Sequence, residues 1–386
     1  MAVLLKRKYF NSKGIIIFSH KEWAFLDKAK KDEISLLKNN YFLGFNVGGY
    51  LNKVSLSENV DFAFTDDLIA NFDRDVFKIE LTDTNFLPND FYFMKIKERY
   101  FDVCAVSSTL NLKKNRDLLY AIKKLNKKGL YPKLIMILTQ SNSSNSIWHD
   151  NDLIKLKNEL FKPNEQKYLT IILLSKELGF KGIPQHSINW FKNHSKYFYA
   201  GSEYEGTCRS SHEALICGCK IIYYRYTKSL IPKYLSPLNS FAFDSYSKLD
   251  KCIESCLNEY HQIDDKQYFE KMDFLLSARY SKEKLQKAFS ELFKSKGELL
   301  IGDLININDL SNDLPAHNLN VPWFKSGTAD ILSEDQLNIF LNYINNITTE
   351  LNFDKKEELF KKESFKQKIK YKLVLFKLYI NRLFKF

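Results

Sequence analysis

The sequence lacks the features that would place it in a membrane or outside the cell. No apolar run approaches the roughly 18 residues of a membrane-spanning helix, and Lys6, Arg7 and Lys8 interrupt an apolar start too short for a signal peptide. Cysteine is sparse, with six residues that show neither zinc-ribbon spacing nor a histidine cluster nearby in sequence. We therefore expect reduced, packed thiols, no metal site and a cytoplasmic location.

Negative charge is scarce relative to positive charge. The 386 residues include 58 Lys and Arg against 46 Asp and Glu, which gives a net charge of +12. A basic balance favours nucleic acid, phospholipid or a phosphate-bearing substrate as partner, without choosing among them. Apolar residues at 45% can build real cores, which excludes global disorder. A chain of this length predicts two lobes and an appendage rather than one small domain.

The stretch from 196 to 224 is the most informative part of the chain. An apolar run at 197–200 is followed by a polar loop at 201–207, a helical pattern to about Cys217 and a second apolar run at 220–224. This strand–loop–helix–strand order is the unit of a parallel α/β sheet. The loop would aim the free N–H groups of a helix start at the carboxyl edge of the sheet, a geometry that binds phosphate.

The residue types in this stretch agree with that order of elements. Gly206 lies where the backbone must turn tightly, and Thr207, Ser210 and Ser211 are suitable N-cap or first-turn residues. Gly218 is a suitable residue just beyond the helix end. We therefore expect the helix to begin close to residue 208.

Two carboxylates, Glu205 and Glu213, frame the loop at a spacing of eight residues. Here the stretch resembles the retaining glycosyltransferases of the GT-B fold, family 4 in particular. Their mark is Glu-x7-Glu within the pattern E-G-x-G…E-A-x-x-x-G, which stands here as EG at 205–206 and EALICG at 213–218. The chain departs from the pattern at the second glycine, where it has Cys208.

The resemblance implies a role for each residue of the motif. Glu205 would orient the donor sugar and steady the charge that develops at its anomeric carbon, while Glu213 would hold the ribose of the nucleotide. The amides of 206–209 would stabilise the departing diphosphate, so that no metal and no cofactor are required. These four residues are Gly206, Thr207, Cys208 and Arg209.

A second family feature concerns the strand predicted at 101–108 and the loop after it. In family 4 enzymes this strand is followed by Gly-Arg and, about six residues later, by Lys-Gly, and the two cations hold the donor diphosphate. Lys114 falls in the place of the second lysine, with Lys113 as the alternative register. Ser107 and Ser108 stand where Gly-Arg would be, so one cation is missing, and we hypothesise that Arg209 replaces it.

The order of predicted strands and helices favours an α/β chain of the GT-B type, with two Rossmann-like lobes and a cleft between them. We expect a short N-terminal acceptor-side lobe at 1–97 and a nucleotide-sugar-binding lobe at 98–296. A helical C-terminal extension would occupy 297–386. The predicted strands lie at 14–19, 60–65, 76–81, 101–108, 132–138, 168–174, 197–200 and 220–224.

The segment 361–386 combines an apolar helical stripe with flanking lysines. Basic and apolar residues without spanning length are typical of a helix that lies in an anionic membrane surface. The alternative is a C-terminal helix that packs on the protein and leaves its basic face in water. The first interpretation predicts a peripheral protein on the inner face of the membrane.

Three weaker signals need structural context. Asp73-Arg74-Asp75 and Asp150-Asn151-Asp152 spell the short Asp-x-Asp pattern with which other glycosyltransferases bind a metal, although both lie in polar loops. His20 follows a predicted strand, where it either faces the acceptor or caps the strand. His186 and Ser187 begin a predicted short helix, near the nucleotide base by resemblance.

The function that these patterns favour is transfer of a sugar, by a hexosyltransferase, from a nucleotide-sugar donor to a cell-envelope glycan or lipid-linked acceptor. Retention of configuration is implied by the resemblance alone. A basic nucleic-acid-binding α/β protein is the first alternative, disfavoured because the lysines are scattered rather than grouped with aromatics in a recognised motif. A glycosyltransferase-like subunit without activity is the second, and the serines at 107–108 keep it open.

Overall fold

The N-terminal part of the chain forms a five-stranded sheet. The computed structural model describes residues 2–6, 8, 11–19, 31–46, 55–65, 72–140, 150, 152–174, 183–206, 208–302 and 304. The strands follow the chain in the order β1 (Ala2–Lys6), β2 (Gly14–Ser19), β3 (Tyr41–Asn46), β4 (Phe62–Phe64) and β5 (Phe77–Ile79). Strands β1 and β2 pair antiparallel, and the other three adjacent pairs of this sheet are parallel. Helix α1 (Lys31–Asn40) leads into β3.

The middle of the chain forms a second sheet of six parallel strands. Its strand order is β11-β10-β9-β6-β7-β8. Strands β7 and β8 are added on one side of β6 and strands β9 to β11 on the other, so the order reverses between β6 and β9. In open parallel sheets, ligands bind at the carboxyl ends of the strands where the order reverses. The strands are β6 (Phe101–Ser108), β7 (Leu134–Thr139), β8 (Leu169–Leu174), β9 (Ser195–Ala200), β10 (Lys220–Tyr224) and β11 (Ser240–Phe243).

Helices cover both faces of the second sheet. The side chains of β6 alternate between two cores, with Cys104 and Val106 in one and Val103 and Ala105 in the other. The first core includes α6 and α8, and the second includes α2 and α7. The helices are α2 (Asn115–Lys127), α3 (Leu153–Leu160), α4 (Pro163–Gln166), α5 (Gln185–Asn193), α6 (Arg209–Ile216), α7 (Leu249–Asn258) and α8 (Lys266–Leu276).

The last described helix, α9 (Ser281–Ser295), returns to the first sheet. Phe289 and Phe293 are fully buried there and meet Phe62 and Phe42 edge to face, with ring centroids 5.4 and 4.8 Å apart. The lobe boundaries at 97 and 296 stay predictions. Helix α9 falls within the predicted nucleotide-sugar-binding lobe at 98–296, yet it packs against the first sheet. The chain therefore returns to the first lobe before residue 296.

The expected α/β class with two Rossmann-like lobes is confirmed. Strands β6 and β10 begin and end as predicted, and α2 begins two residues before the predicted 117. The segment 361–386 lies outside the described residues, as do His20 and Thr207. Within the described part of the chain, no helix has the length and apolarity needed to cross a bilayer.

Candidate functional site

Two helices start side by side at the carboxyl edge of the second sheet, each from a residue with left-handed backbone. Lys114 precedes α2 with φ of 57°, and Cys208 precedes α6 with φ of 36°. Among the described residues, no other non-glycine residue has positive φ. This conformation costs an L-residue about 1–2 kcal/mol, and such strain clusters at functional sites. The strained starts therefore mark this edge as the candidate site.

A small, partly open pocket with a cavity volume of about 20 Å³ lies between the two helix starts. Phe198 and Ala200 of β9 contribute to its apolar lining. The first-turn N–H groups of a helix have no partner inside the helix, and its dipole is positive at that end. Two such ends at one pocket favour an anionic ligand. The polar lining residues include Ser107, Lys113, Asn115, Glu205, Ser210 and Ser211.

Lys113 and Glu205 form an ion pair within this pocket. Lys113 ends a single 3-10 turn between β6 and α2, whereas Glu205 lies in the loop between β9 and α6. Their side chains are 15% and 25% exposed, so water reaches the pair only partly. The site thus holds a cation and a carboxylate in contact, both accessible to a ligand.

The loop that carries Glu205 is held by the segment after β10. The Glu205 amide donates to the carbonyl of Lys228 at 3.1 Å, and the Leu230 amide donates to the carbonyl of Gly206 at 2.9 Å. These main-chain bonds lie on both sides of the carboxylate-bearing residue. They fix the position of Glu205 without using its side chain.

Lys114 points to a different set of partners. Its Nζ lies 3.0 Å from the Glu203 carboxylate and 5.1 Å from the ring centroid of Tyr246. It is absent from the pocket lining, which includes Lys113. In the family pattern a glycine follows the lysine, and Lys114 has the left-handed conformation that glycine favours. The geometry thus favours the alternative register, with Lys113 in the lysine place and Lys114 in the glycine place.

The last two residues of β6, Ser107 and Ser108, shape the turn into α2. Ser107 Oγ donates to the Ser108 carbonyl at 3.1 Å and to Asn115 Oδ1 at 3.2 Å, while Asn115 Nδ2 donates to the same carbonyl at 3.1 Å. Asn115 is buried and Ser107 lines the pocket. These residues supply hydrogen-bonding groups there but no positive charge.

Cys208 is a buried residue of the α6 start. Its Sγ lies 2.7 Å from Ser211 Oγ. Burial, followed by the nearby Glu205 carboxylate, raises the pKa of the Cys208 thiol far above its ordinary value, so the group is neutral at physiological pH. We therefore assign the side chain a packing role, and the backbone at this position the role of starting the helix.

Glu213 is buried beside the pocket rather than in its lining. One carboxylate oxygen pairs with Lys192, and the other lies 3.3 Å from Arg209 Nε. Lys192 Nζ also donates to the carbonyl of Ser210 at 3.0 Å and to its Oγ at 3.1 Å. Lys192 therefore ties α5 to the first turn of α6 through Ser210 and to the second turn through Glu213. Contact of Glu213 with a ribose stays a prediction, as does the substitution of Arg209 for the missing cation.

Two buried cations of the second lobe, Lys192 and Arg99, were not predicted from the sequence; they are 0% and 2% exposed. Arg99 donates to the carbonyls of Ser195 at 2.7 Å and Cys217 at 2.9 Å, and so joins the start of β9 to the end of α6. Lysine and arginine are rarely buried without a partner. Their partners here are distant in sequence, so no local pattern indicated them.

Three of the four acidic residues in the two Asp-x-Asp patterns make contacts within the protein. Arg116 pairs with Asp150, at 2.6 Å from Nε, and with Asp152. Asp73 Oδ1 accepts a bond from the Leu56 amide at 3.1 Å. Within the described residues, no three potential metal-ligating His, Cys, Asp or Glu side chains cluster. The expectation of a reaction without metal stays a prediction.

His186 and Ser187, expected near a nucleotide base, belong to the first turn of α5. His186 is exposed, and neither residue contributes to the lining of the pocket. A role in contacting the base stays a prediction.

Comparison with known proteins gives likenesses of fold only. No family model and no curated protein matches the sequence. Among solved structures, the pneumococcal O-GlcNAc transferase GtfA, in complex with UDP and GlcNAc, is 11% identical with a TM-score of 0.48, over 67% of this chain and 54% of that one. TarM is 12% identical with a TM-score of 0.49, over 72% of this chain and 54% of that one.

Sucrose-phosphate synthase from Thermosynechococcus elongatus is 12% identical with a TM-score of 0.45, over 72% of this chain and 68% of that one. The chain thus spans about half the length of the first two structures. At these identities and scores, the likeness assigns no activity to this chain.

Proposed function

We propose that the chain is a glycosyltransferase that moves a sugar from a nucleotide-sugar donor to a cell-envelope glycan or lipid-linked acceptor. The observation that carries this proposal is the meeting of two helix N-termini with Lys113 and Glu205 in one pocket. The Glu-x7-Glu resemblance supports the same reaction. The hexosyltransferase class and the retention of configuration rest on that resemblance.

The donor diphosphate would bind between the starts of α2 and α6. The amides there and the Lys113 ammonium offer hydrogen bonds and positive charge to the phosphates. Lys113 contacts Glu205 in the structure. A bound diphosphate would therefore either share the Lys113 ammonium with Glu205 or replace Glu205 as its partner. A charge-assisted bond of this kind is worth about 1.5–3 kcal/mol. Lys113, rather than Lys114, is therefore our candidate for the phosphate cation.

Glu205 would act on the sugar itself. A fixed carboxylate stabilises positive charge that develops at the anomeric carbon as the bond to the diphosphate breaks. The main-chain bonds of the loop hold Glu205 at the pocket before any ligand arrives. Lys113 and the helix amides would stabilise the negative charge on the leaving group. No metal or cofactor takes part in this scheme.

The acceptor and the cellular location complete the proposal. The lobe at 1–97 would face the acceptor, and the helix at 361–386 would hold the protein to an anionic membrane surface on the cytoplasmic side. Both follow from the sequence, and nucleic acid is not a partner in this scheme. Removal of 361–386 should abolish co-sedimentation with anionic liposomes while nucleotide binding persists.

A calorimetric panel of UDP, GDP, CDP and CMP, with their sugar conjugates, tests the donor site. We expect one base to be preferred, with tighter binding of its diphosphate than of its nucleoside. Glu205→Gln should keep nucleotide binding within a few-fold and abolish turnover of the preferred donor. Failure of every nucleotide to bind would refute the proposal, and binding without turnover in the wild-type protein would favour an inactive subunit.

A further inference from the structure

Two exposed tyrosines lie in the loops that follow β9 and β10, close in sequence to pocket residues. Tyr204 lies one residue before Glu205 and is 54% exposed, and Tyr226 follows β10 and is 62% exposed. Lys228 Nζ lies 5.3 Å from the centroid of the Tyr204 ring. We call Tyr204, Tyr226 and Lys228 the aromatic rim. It lies at the carboxyl edge of the second sheet, as the pocket does.

The backbone of the aromatic rim is fixed by hydrogen bonds between two loops. The Lys228 amide donates to the Glu203 carbonyl at 2.9 Å, and the Glu205 amide donates to the Lys228 carbonyl at 3.1 Å. Thr227 Oγ1 donates to the carbonyl of Ser202 at 2.7 Å. A tyrosine on a fixed backbone offers a large contact surface at a small entropic cost on binding.

Half-buried rings connect the aromatic rim to the pocket wall. Tyr226 meets Tyr224 edge to face at 5.6 Å, and Tyr224 stacks on Tyr246 at 4.9 Å. The Tyr246 hydroxyl donates to the carbonyl of Gly201, a pocket residue, at 2.7 Å. The exposed tyrosines thus extend the site and are not isolated surface residues.

The chemistry of the aromatic rim suits a sugar ring. More than half of the surface of Tyr204 and Tyr226 stays in water, so the fold gains little from their size. Aromatic faces carry negative partial charge, which attracts the weakly positive C–H face of a pyranose. The tyrosine hydroxyls and the Lys228 ammonium add hydrogen-bonding groups for sugar hydroxyls.

We infer that the aromatic rim binds the saccharide part of the acceptor, next to Glu205. This inference rests on the proposed function, since it takes Glu205 as the reacting centre. It places an acceptor subsite on the second lobe, in addition to any contact from the lobe at 1–97. A sugar stacked on Tyr204 would lie beside the residue that faces the donor sugar.

Saturation-transfer NMR with two neutral trisaccharides, maltotriose and tri-N-acetylchitotriose, tests the subsite in the full chain. We expect at least one to bind, with affinity lowered about fivefold per ring in Tyr204→Ala and Tyr226→Ala. Tyr204→Phe should retain most of the affinity, because the aromatic face persists. The matched control is Tyr100→Ala, which removes a tyrosine that is 58% exposed before β6, at the opposite edge of the sheet.

Nucleoside diphosphate affinity, measured on the same variants, separates this inference from the proposed function. Unchanged nucleotide affinity with lost saccharide binding supports an acceptor subsite. Equal saccharide binding in wild type and in the variant that combines both alanine substitutions overturns it, as does saccharide binding by neither. Loss of nucleotide affinity alone would assign the aromatic rim to the donor and also overturn the inference. Absence of nucleotide binding in the wild-type protein would instead refute the proposed function.

Discussion

Two buried lysines, one in each lobe, have different surroundings. Lys6 of β1 is 1% exposed, and its Nζ donates to neutral oxygens, Ser12 Oγ at 3.2 Å and the Lys13 carbonyl at 2.7 Å. Lys192 of α5 is 0% exposed and pairs with the Glu213 carboxylate. Desolvation lowers the pKa of Lys6 to about 8, although the charge of Glu298 opposes the shift. At Lys6, desolvation therefore outweighs the stabilisation that the surroundings give to the charge.

The difference indicates what each charge does. A buried ammonium whose desolvation outweighs its stabilisation weakens the folded state whenever it is protonated. The Lys192–Glu213 pair instead joins α5 to the second turn of α6, the helix that begins at the candidate site. We infer that the buried Lys192–Glu213 pair is retained for the geometry of the site. Four measurements test this contrast.

The largest effect is expected from Lys192→Met, which leaves the Glu213 carboxylate buried beside Arg209. Removing one partner of a buried pair destabilises a protein by about 3–5 kcal/mol. Urea unfolding should show this loss, whereas Lys192→Met combined with Glu213→Leu should recover most of it. A loss below about 1 kcal/mol for the single variant would show that the pair contributes little.

The next effect concerns ligand affinity at the two neighbouring lysines. Lys113→Met should weaken nucleoside diphosphate binding by about 1.5–3 kcal/mol, because it removes the cation in the pocket. Lys114→Met is the matched control, since its charge is directed at Glu203 and Tyr246. It should change the dissociation constant measured by calorimetry less than threefold, roughly 0.6 kcal/mol. Equal losses would mean that both lysines, or neither, bind phosphate.

The buried charge of the first lobe predicts a pH dependence. The folded-state pKa of Lys6 is about 8 against an ordinary 10.5, so between these values the unfolded state holds more protons. Stability therefore rises with pH across this window, and the penalty is fully present below pH 8. Lys6→Met should remove this rise and add about 1–2 kcal/mol at pH 7. An unchanged slope in urea unfolding between pH 8 and 10 would contradict the assignment.

The smallest effect concerns backbone strain, which the second lobe has at Lys114. Lys114→Gly should relieve the left-handed φ and raise stability by about 0.5–1 kcal/mol after the entropy of glycine is counted. Lys113→Gly should give no gain, because that residue lies within the 3-10 turn. A loss for Lys114→Gly in thermal unfolding would show that its ion pair with Glu203 outweighs the strain.

The local order of elements could be predicted from the sequence because it depends on local patterns. Apolar runs predicted the bounds of β6 and β10, and the turn chemistry around Gly206 placed the helix start correctly. The register of Lys113 and Lys114 could not be decided in this way. Neighbouring lysines are chemically identical, and only the folded structure shows that Lys113 pairs with Glu205 and Lys114 with Glu203.

Contacts between distant segments could not be predicted, because they depend on residues far apart in the sequence. The burial of Lys192 depends on Glu213, which lies 21 residues later. Helix α9 has an amphipathic pattern, but a pattern predicts an apolar face without saying which sheet it covers. Phe289 and Phe293 cover the first sheet, although the helix follows the second in sequence.

The proposed donor site is tested most directly by a crystal structure of the full chain with the nucleoside diphosphate that calorimetry selects. We expect the β-phosphate to lie within hydrogen-bonding distance of Lys113 Nζ and of first-turn amides of α6, with Glu205 beside the phosphate end. A nucleotide bound elsewhere, with the Lys113–Glu205 pair intact and the pocket between α2 and α6 empty, would contradict the proposal.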